Sequence, residues 1–324
     1  MSAASTGEPS TDSPADRPGL FEARPVRHPW RWVAVSFIAI LVAMMVSSFL
    51  TNERWDFAKA AEIMIQNPVL EGLVRGTIVG TIGAMVLGVS LGILVAIMRL
   101  SDNPVLHGVA SVFTWFFRAI PRYVLLTIIG SGIGYLYNTL DVGVPFGQQL
   151  ASLLGLSSTL SFGSINVNGI TGSIVGGMIG LGLSEAAYMA EIGRAGILSV
   201  DKGQAEAAQA LGMPEGKAMR RIILPQAMRV IVPPTGNETI AMVKDTSLLI
   251  AIPVIIELNY QTGAIANREF KIMPGLVAST VWYLIVCSVL MVGQYYLEKH
   301  FSRGFGQQKP KSKRFARGAG MGGA

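Results

Sequence analysis

The sequence has few charged residues, one cysteine and three histidines. Asp, Glu, Lys and Arg together make up 14% of its 324 residues, whereas soluble globular domains carry about 25%. A chain this poor in charge and 51% hydrophobic is typical of a polytopic membrane protein. The single cysteine, Cys287, excludes an intrachain disulfide framework, and three histidines argue against a His/Cys metal site.

The sequence also lacks the loop GxxxxGK[ST] that cradles nucleotide phosphates. Its only Gly-Lys pair, Gly216-Lys217, has Leu211 where the first glycine is required and Ala218 after the lysine. A nucleophile elbow and paired histidine ligands are absent from the sequence as well. We therefore expect no enzymatic activity, no cofactor and no metal in this chain.

Six apolar stretches are long enough to cross the roughly 30 Å hydrocarbon core, which takes about 20 helical residues. The sequence thus predicts an all-α polytopic membrane fold with about six transmembrane helices, preceded by a disordered polar tail over residues 1–29. The predicted spans are Val33–Leu50, Leu73–Met98, about Trp115–Tyr137, about Gly169–Ala190, about Ile222–Ile252 and Pro274–Leu297.

Lysine and arginine fall mainly on one side of these spans. With both termini in the cytoplasm, 20 of the 26 basic residues are cytoplasmic, including Arg99, Arg118 and Arg122, and five are outside, while Lys244 lies within a span. Because cytoplasmic loops carry the Lys/Arg excess, this orientation is favoured. The excess is spread over four segments, which argues against a nucleic-acid-binding face. In the basic tail at 298–324, the segment KPKSKRFAR at 309–317 either contacts anionic membrane lipid or is simply solvated.

Small residues recur at every fourth position in two of the predicted spans. They form one flat face on each helix, where another helix backbone can approach closely. The positions are Gly76, Gly80, Ala84, Gly88, Gly92 and Ala96 in the second span, and Gly172, Gly176 and Gly180 in the fourth.

A charged, alanine-rich segment, EAAQALGMPEGKAMRRIILP at 206–225, interrupts this apolar sequence. Residues 200–211 favour a helix, and Gly212 suits a helix end that requires a positive φ. Pro214 fits the first turn of a second short helix, and Pro225 marks the return to the membrane. The segment is predicted to form a rigid helix–glycine–helix loop suited to docking on another protein.

This segment resembles the signature loop of the permease subunits of ATP-binding-cassette importers. That signature reads Glu-Ala-Ala, three residues, Gly, nine residues, Ile-x-Leu-Pro, and it is matched by Glu206, Ala207, Ala208, Gly212, Ile222, Leu224 and Pro225. The flanking segments 185–212, 224–238 and 243–248 are similar to the polar amino-acid uptake branch, the histidine/glutamine/arginine type. Phe117-Arg118 and Pro121 resemble a Phe-Arg-Gly-Thr-Pro element of that branch, with Ala119-Ile120 in place of Gly-Thr.

The resemblance implies a subunit that moves amino acids into the cytoplasm across the bacterial cell membrane. Its partners would be a separate ATPase subunit, a second permease subunit (identical or homologous), an extracytoplasmic solute-binding protein and membrane lipid. The permease domain would span residues 70–297, with 30–69 as an extra first span and outer loop. The coupling loop, at about 199–225, would dock on the ATPase through Glu206, Ala207, Ala208, Gly212, Met213, Pro214, Ile222, Leu224 and Pro225.

Ionisable and polar residues cluster in the fifth predicted span, after Pro233-Pro234, which are expected to break the helix. Charges at membrane depth usually line a cavity or pair with each other. They either meet the two ends of an amino acid or form internal salt bridges, while Thr246 and Ser247 tend to bond back to the helix. The candidate pathway residues are Asn237, Glu238, Lys244, Asp245, Thr246 and Ser247.

Two other functions compete with the importer. An ion-coupled secondary transporter would use Glu238, Lys244 and Asp245 as a relay, but it leaves the loop signature unexplained. An integral-membrane enzyme would need clustered polar residues at one membrane face, which the sequence does not show.

Overall fold

The computed structural model describes residues 29–155 and 161–301, and almost all of them are helical. The predicted disordered tail up to residue 28 and the basic tail from 302 onward lie outside the described residues. The chain divides into two units, Met1–Glu53 and Arg54–Ala324. In the first unit the structure describes α1, Pro29–Thr51, an apolar helix of 23 residues. Its length and composition confirm the first predicted span.

A short 3-10 turn, Glu53–Trp55, crosses the boundary at Glu53, and a helical segment of the second unit then leads into the second span. Asp56 caps α2, because its carboxylate accepts a hydrogen bond from the Lys59 amide. A second short helix then leads through a π-helical turn into the long apolar α4, so that 33 residues are continuously helical. The bounds are α2 Phe57–Met64, α3 Asn67–Glu71, the π turn Gly72–Ile78 and α4 Val79–Arg99.

The third predicted span, about Trp115–Tyr137, contains a sharp bend that was not predicted. α5, Pro104–Ala119, and the helical stretch Arg122–Leu136 meet at an angle of 102°. Ile120 between them is extended (φ −81°, ψ 131°), because the ring of a following proline disfavours the helical conformation. The second stretch comprises α6 Arg122–Thr127, a π turn Ile128–Ile133 and α7 Gly134–Leu136.

A small irregular segment follows the bent pair. Its two strands, β1 and β2, pair antiparallel, with Thr139 opposite Asn166. They are the one sheet among the described residues, and the side chains of β1 are all exposed. The bounds are β1 Thr139–Gly143, α8 Gly147–Leu153, β2 Ser161–Asn166 and α9 Val167–Thr171.

The remaining long helices are α10, α13 and α15. Within the described residues, three helices are long and apolar enough to span a membrane, or four if the bent pair is one span. The predicted count of about six also included α10 and α13, which are long but carry more polar and charged residues. The bounds are α10 Ile174–Leu198, α13 Leu224–Asp245, a 3-10 turn Thr246–Ala251, α14 Leu258–Arg268 and α15 Ile272–Phe301.

Two details of the fifth predicted span are wrong. Pro233 and Pro234 lie inside α13, which continues without a break to Asp245, so they do not end the helix. The amide of Gln294 on α15 donates to the Pro233 carbonyl at 2.8 Å, which supports the helix at this point. The regular helix ends at Asp245 and not at Ile252, because a 3-10 turn follows it.

Close packing of α4 on α10 organises the second unit. A Cβ atom built on Gly88 would lie 2.7 Å from Cβ of Glu185, and one on Gly92 would lie 2.4 Å from Cβ of Met189. This confirms the predicted flat face of the second span. On α10, Gly182 meets Leu87 and Gly193 meets Ala96, both on α4. The predicted Gly180 packs on Leu126 of α6 instead, and Gly176 packs on the backbone of α9.

A buried carboxylate joins α4's leading turn to α14 and α15. Glu257 is fully buried and accepts hydrogen bonds from the Thr77 hydroxyl (2.8 Å), the Tyr283 hydroxyl (2.6 Å) and the Asn259 amide (2.6 Å). Because three elements donate to one carboxylate, their relative position is fixed here.

Ion pairs tie α2 to the turn between α14 and α15. Lys59 lies 2.7 Å from Glu269, and Lys271 lies 2.9 Å from Asp56. The hydrogen bond from Lys271 holds the pKa of Asp56 below its ordinary value, and the hydrogen bond to Glu269 raises the pKa of Lys59. The two pairs fasten the end of the second unit that lies opposite the 206–225 segment.

We expect Gly92→Ala to destabilise the protein. Its new methyl group meets Met189 Cβ at 2.4 Å, and overpacking of this kind costs about 1–3 kcal/mol. Gly293→Ala on α15 is the matched control, since nothing lies within 4 Å of its Cβ position and alanine favours a helix by about 0.5–1 kcal/mol. Thermal unfolding in detergent should show a lower Tm for the first variant only. Equal or higher stability of Gly92→Ala would contradict the close packing of α4 on α10.

Candidate functional site

The 206–225 segment forms the helix–glycine–helix loop that its sequence predicts. α11, Lys202–Ala210, ends at Gly212, which has φ +69°. The Met213 amide bonds the Ala208 carbonyl (3.0 Å) and the Gly212 amide bonds the Gln209 carbonyl (2.9 Å). This pair of bonds is a Schellman motif, which satisfies the last carbonyls of a helix and requires a left-handed residue.

The second half of the loop returns the chain to the long helices. Pro214 precedes α12, Glu215–Ala218, and a π turn, Met219–Ile223, leads into α13 with Pro225 in its first turn. Gln226 bridges the two halves, because its amide donates to the Ile222 carbonyl (2.9 Å) and to the Gln204 side chain (3.3 Å). The loop is therefore braced at its base.

Most of the predicted docking residues lie on the surface of this loop. Leu211, at the tip, was not among them, although its side chain is 80% exposed. A large apolar residue next to the turn glycine was the signal that could have identified it. Ala208 is buried, Met213 and Ile222 are half-buried, and the exposed residues are Glu206, Ala207, Gly212, Pro214, Leu224 and Pro225.

A cluster of one arginine and three carboxylates joins α6, α10 and α13. Arg122 is 15% exposed; it donates to Asp245 and, at 3.0 Å, to Glu185, and it lies 3.9 Å from Glu238. Glu185 is completely buried, and its second oxygen, Oε1, has no hydrogen-bond partner among the described residues. The four groups, called here the acidic cluster, carry a formal charge of about −2 when all are ionised.

This cluster corrects the interpretation of Arg122 as one of several cytoplasmic basic residues. The 102° bend places its side chain against the middle of α10 and the second half of α13. The sequence signal was available, since Arg122 directly follows Pro121 and so begins a new helix.

The polar residues of α13 separate into two sets. Glu238 and Asp245, seven residues apart, both face Arg122, as the helical spacing predicts. Asn237 and Lys244 are exposed and lie away from it. Thr246 and Ser247 donate back to the Val243 and Lys244 carbonyls, at 2.8 and 2.7 Å, which confirms their predicted local bonding. The internal ion pairs weighed as an alternative are therefore present.

Two further residues of α10, Tyr188 and Glu191, also contact arginines, and they follow Glu185 at intervals of three residues. The Arg122 and Arg118 guanidinium carbons lie 5.0 and 5.4 Å from the Tyr188 ring centroid, within cation–π range. One turn on, Glu191 accepts hydrogen bonds from Arg99 and, at 2.5 Å, from Arg194. The described residues hold no His/Cys/Asp/Glu group suited to a metal ion.

We expect Arg122→Met to lower the free energy of unfolding by about 3–5 kcal/mol, because it leaves the buried Glu185 carboxylate without its partner. In the double variant Arg122→Met/Glu185→Gln, much of the lost free energy of unfolding should be recovered. The two substitutions would then be non-additive, which indicates that the two side chains interact directly. Arg75→Met is the control, since Arg75 is 70% exposed and such pairs contribute about 0.3–0.5 kcal/mol. Additive losses in the thermal unfolding of the double variant would show that the two groups do not interact.

The chain matches known proteins over most of its length. It is 45% identical over 289 residues to the arginine transport system permease protein ArgU of Corynebacterium glutamicum, covering 89% of this chain and 85% of the relative. It is 34% identical over 238 residues to the L-cystine transport system permease protein TcyB of Bacillus subtilis, covering 73% and 88%.

A solved structure matches as well. The crystal structure of an amino acid ABC transporter with histidines has a TM-score of 0.57 and 27% identity, covering 72% of this chain and 94% of that one. Residues 88–303 match the family model of the binding-protein-dependent transport system inner membrane component. Because that match covers more than half of the sequence, the chain belongs to the family of binding-protein-dependent transport system inner membrane components.

Proposed function

We propose that this chain is the permease subunit of an ATP-driven importer of cationic amino acids in the bacterial cell membrane. The observation that carries the choice of substrate is the acidic cluster, in which three carboxylates face one guanidinium. Among the relatives, ArgU is named as an arginine permease. That name agrees with the net negative charge of the acidic cluster, since arginine has a cationic side chain.

The acidic cluster suits a cation because its own charges do not cancel. Charged groups away from water need partners, and an uncompensated one is costly. Arg122 serves Asp245 and one oxygen of Glu185, while Glu238 is 3.9 Å away and Glu185 Oε1 has no partner among the described residues. A second guanidinium or ammonium group would meet both unsatisfied carboxylates.

The energy for transport has to come from a partner, since the sequence contains no phosphate-binding loop. We assign the docking of that partner, an ATPase subunit, to the 206–225 loop. Its glycine turn is closed by the Schellman bonds, and its base is braced by Gln226, so it presents Leu211 on a rigid support. Because a rigid loop does not deform when the ATPase moves, the movement is transmitted to the helices.

The remaining parts of the assembly follow from this function. A second permease subunit would complete the pathway, and a solute-binding protein outside the cell would deliver the amino acid. Both termini would lie in the cytoplasm, as the lysine and arginine distribution favours. Residues 30–69 would be an added span on a permease domain at 70–297, followed by the basic tail at 298–324.

The competing ion-coupled transporter has less support. The acidic cluster would also suit a proton or ion relay, but an ion-driven carrier has no use for a braced, exposed loop with the importer signature. Membership in a family of binding-protein-dependent systems favours the importer as well.

We expect Leu211→Glu to abolish co-purification of the ATPase from native membranes in mild detergent. The substitution puts a charge on the exposed apolar tip that would enter the partner's groove. Leu153→Glu is the matched control, because Leu153 is 81% exposed compared with 80% for Leu211 but lies in the segment predicted to be outside the cell. The two variants should differ in bound ATPase and not in folding.

If no ATPase accompanies a folded wild-type chain, the importer proposal fails and the ion-coupled transporter replaces it. If both leucine variants lose the ATPase equally, the effect is on folding and the docking assignment fails.

We expect Glu238→Gln to raise the KM for arginine uptake by roughly tenfold, since a hydrogen bond to a charged group contributes about 1.5–3 kcal/mol. Uptake of glutamine, which has no cationic side chain, should change much less. Glu62→Gln is the control, because Glu62 is 60% exposed and pairs only with Lys59 among the described residues. Equal losses for arginine and glutamine would show that Glu238 acts on the fold and not on the cation.

A further inference from the structure

A polar cavity of about 510 Å³ lies beside α5, separate from the acidic cluster. Residues of α4, α5 and α10 line it, among them Arg99, Ser111, Trp115, Arg118, Tyr188 and Glu191. The transport proposal gives this cavity no role. Its hydroxyl groups and arginines are hydrogen-bond donors, and donors of this kind suit an oxygen-rich ligand.

The ionised groups around the cavity have an excess of positive charge. Glu191 is shared, because one of its oxygens accepts from Arg99 and the other from Arg194. Arg118 has no carboxylate within 4.0 Å among the described residues, and its guanidinium lies over the Tyr188 ring. Since guanidinium groups stay protonated, the two arginines that line the cavity, Arg99 and Arg118, outnumber its one carboxylate, Glu191.

One donor at this cavity is also left without an acceptor. The Nε atom of Arg99 is buried and has no hydrogen-bond partner among residues 29–155 and 161–301. A buried donor without a partner is destabilising by about 1–3 kcal/mol. An anion in the cavity would supply acceptor oxygens to the arginines and offset their charge.

An apolar stripe on α5 flanks the cavity. Val105, Val109, Val112 and Phe116 recur at helical spacing on one face and are exposed. Trp115, 69% exposed, lies between this stripe and the cavity-lining face. A charged cavity next to a continuous apolar stripe matches a molecule with an anionic head and a hydrocarbon chain.

The cavity lies at the same end of the helices as the docking loop. Arg99 is the last residue of α4, and Glu191 and Arg194 lie in the last two turns of α10, which leads into the loop. In the proposed orientation this end meets the headgroups of the cytoplasmic leaflet. Basic pockets between helices at that level are suited to anionic lipid headgroups, and tryptophan is enriched at the same depth.

We propose that this cavity binds the phosphate of an anionic membrane phospholipid, with one acyl chain lying along the apolar stripe of α5. The proposal rests on the proposed function only for the choice of leaflet. Arg118 and Arg99 would donate to the phosphate oxygens, and Glu191 would keep Arg99 in place. Trp115 would pack beside the glycerol region of the lipid.

The test is native mass spectrometry of the full-length chain, released from mixed micelles of phosphatidylglycerol and phosphatidylcholine. We expect one phosphatidylglycerol to be retained per chain in preference to phosphatidylcholine. Arg118→Gln should weaken this retention about tenfold, because it removes charge-assisted hydrogen bonds. Arg75→Gln is the matched control and should leave retention unchanged, since Arg75 is exposed and lies in the turn before α4.

Three results would overturn the proposal. Equal retention of the two lipids would show that the headgroup charge is not recognised. If inorganic phosphate displaces the lipid, and a headgroup without acyl chains is retained as well as the intact lipid, the cavity is a site for free anions. Disulfide formation between two chains carrying Val112→Cys in a Cys287→Ala background, with no lipid retained, would assign the stripe to a second copy. The ATPase co-purification of the wild type is measured separately, so a failure here leaves the transport proposal intact.

Discussion

The approach of α4 to α10 is the constraint on which the rest of the second unit depends. Glu185 and Met189 occupy the space that side chains at Gly88 and Gly92 would need. Without those glycines the helices would separate by the thickness of a methyl group or more. Because Glu185 lies in this contact, its carboxylate is held at one position, completely buried. Arg122 pairs with that fixed carboxylate, and Glu238 and Asp245 lie around the same guanidinium group.

The bend after α5 provides the second half of the arrangement. A straight helix through Pro121 would keep Arg118 and Arg122, four residues apart, on one continuous face. The extended Ile120 instead turns the chain by 102°, so that both arginines contact the Tyr188 ring. Two environments of opposite charge therefore follow each other along α10. The surroundings of Glu185 are net negative, and the surroundings of Glu191 are net positive because of the arginines there. This division allows a cation site and an anion site to lie within two turns of one helix.

Features set by local sequence were predictable, and features set by tertiary contact were not. The glycine turn of the 206–225 loop requires a left-handed residue, so its geometry followed from Gly212 and Pro214 alone. The flat face of α4 followed from the spacing of its small residues. Arg122 was misjudged, because charge counting assumes that basic residues stay with the aqueous loops, whereas three buried or half-buried carboxylates hold this one. The proline pair at 233 was also misjudged, since α15 supports the helix there through Gln294.

The continuity of α13 has a mechanical consequence. The helix begins beside the docking loop at Leu224 and ends in the acidic cluster at Asp245, and its 22 residues form a rod about 33 Å long. Tilting such a rod by about 10° around its loop end moves the other end by about 6 Å. Glu238 lies 14 residues from Leu224, about 21 Å along the rod, and would move by about 4 Å, which is comparable with the 3.9 Å between Glu238 and Arg122. A modest push on the loop is therefore amplified, by lever geometry alone, into the making or breaking of ion pairs in the acidic cluster.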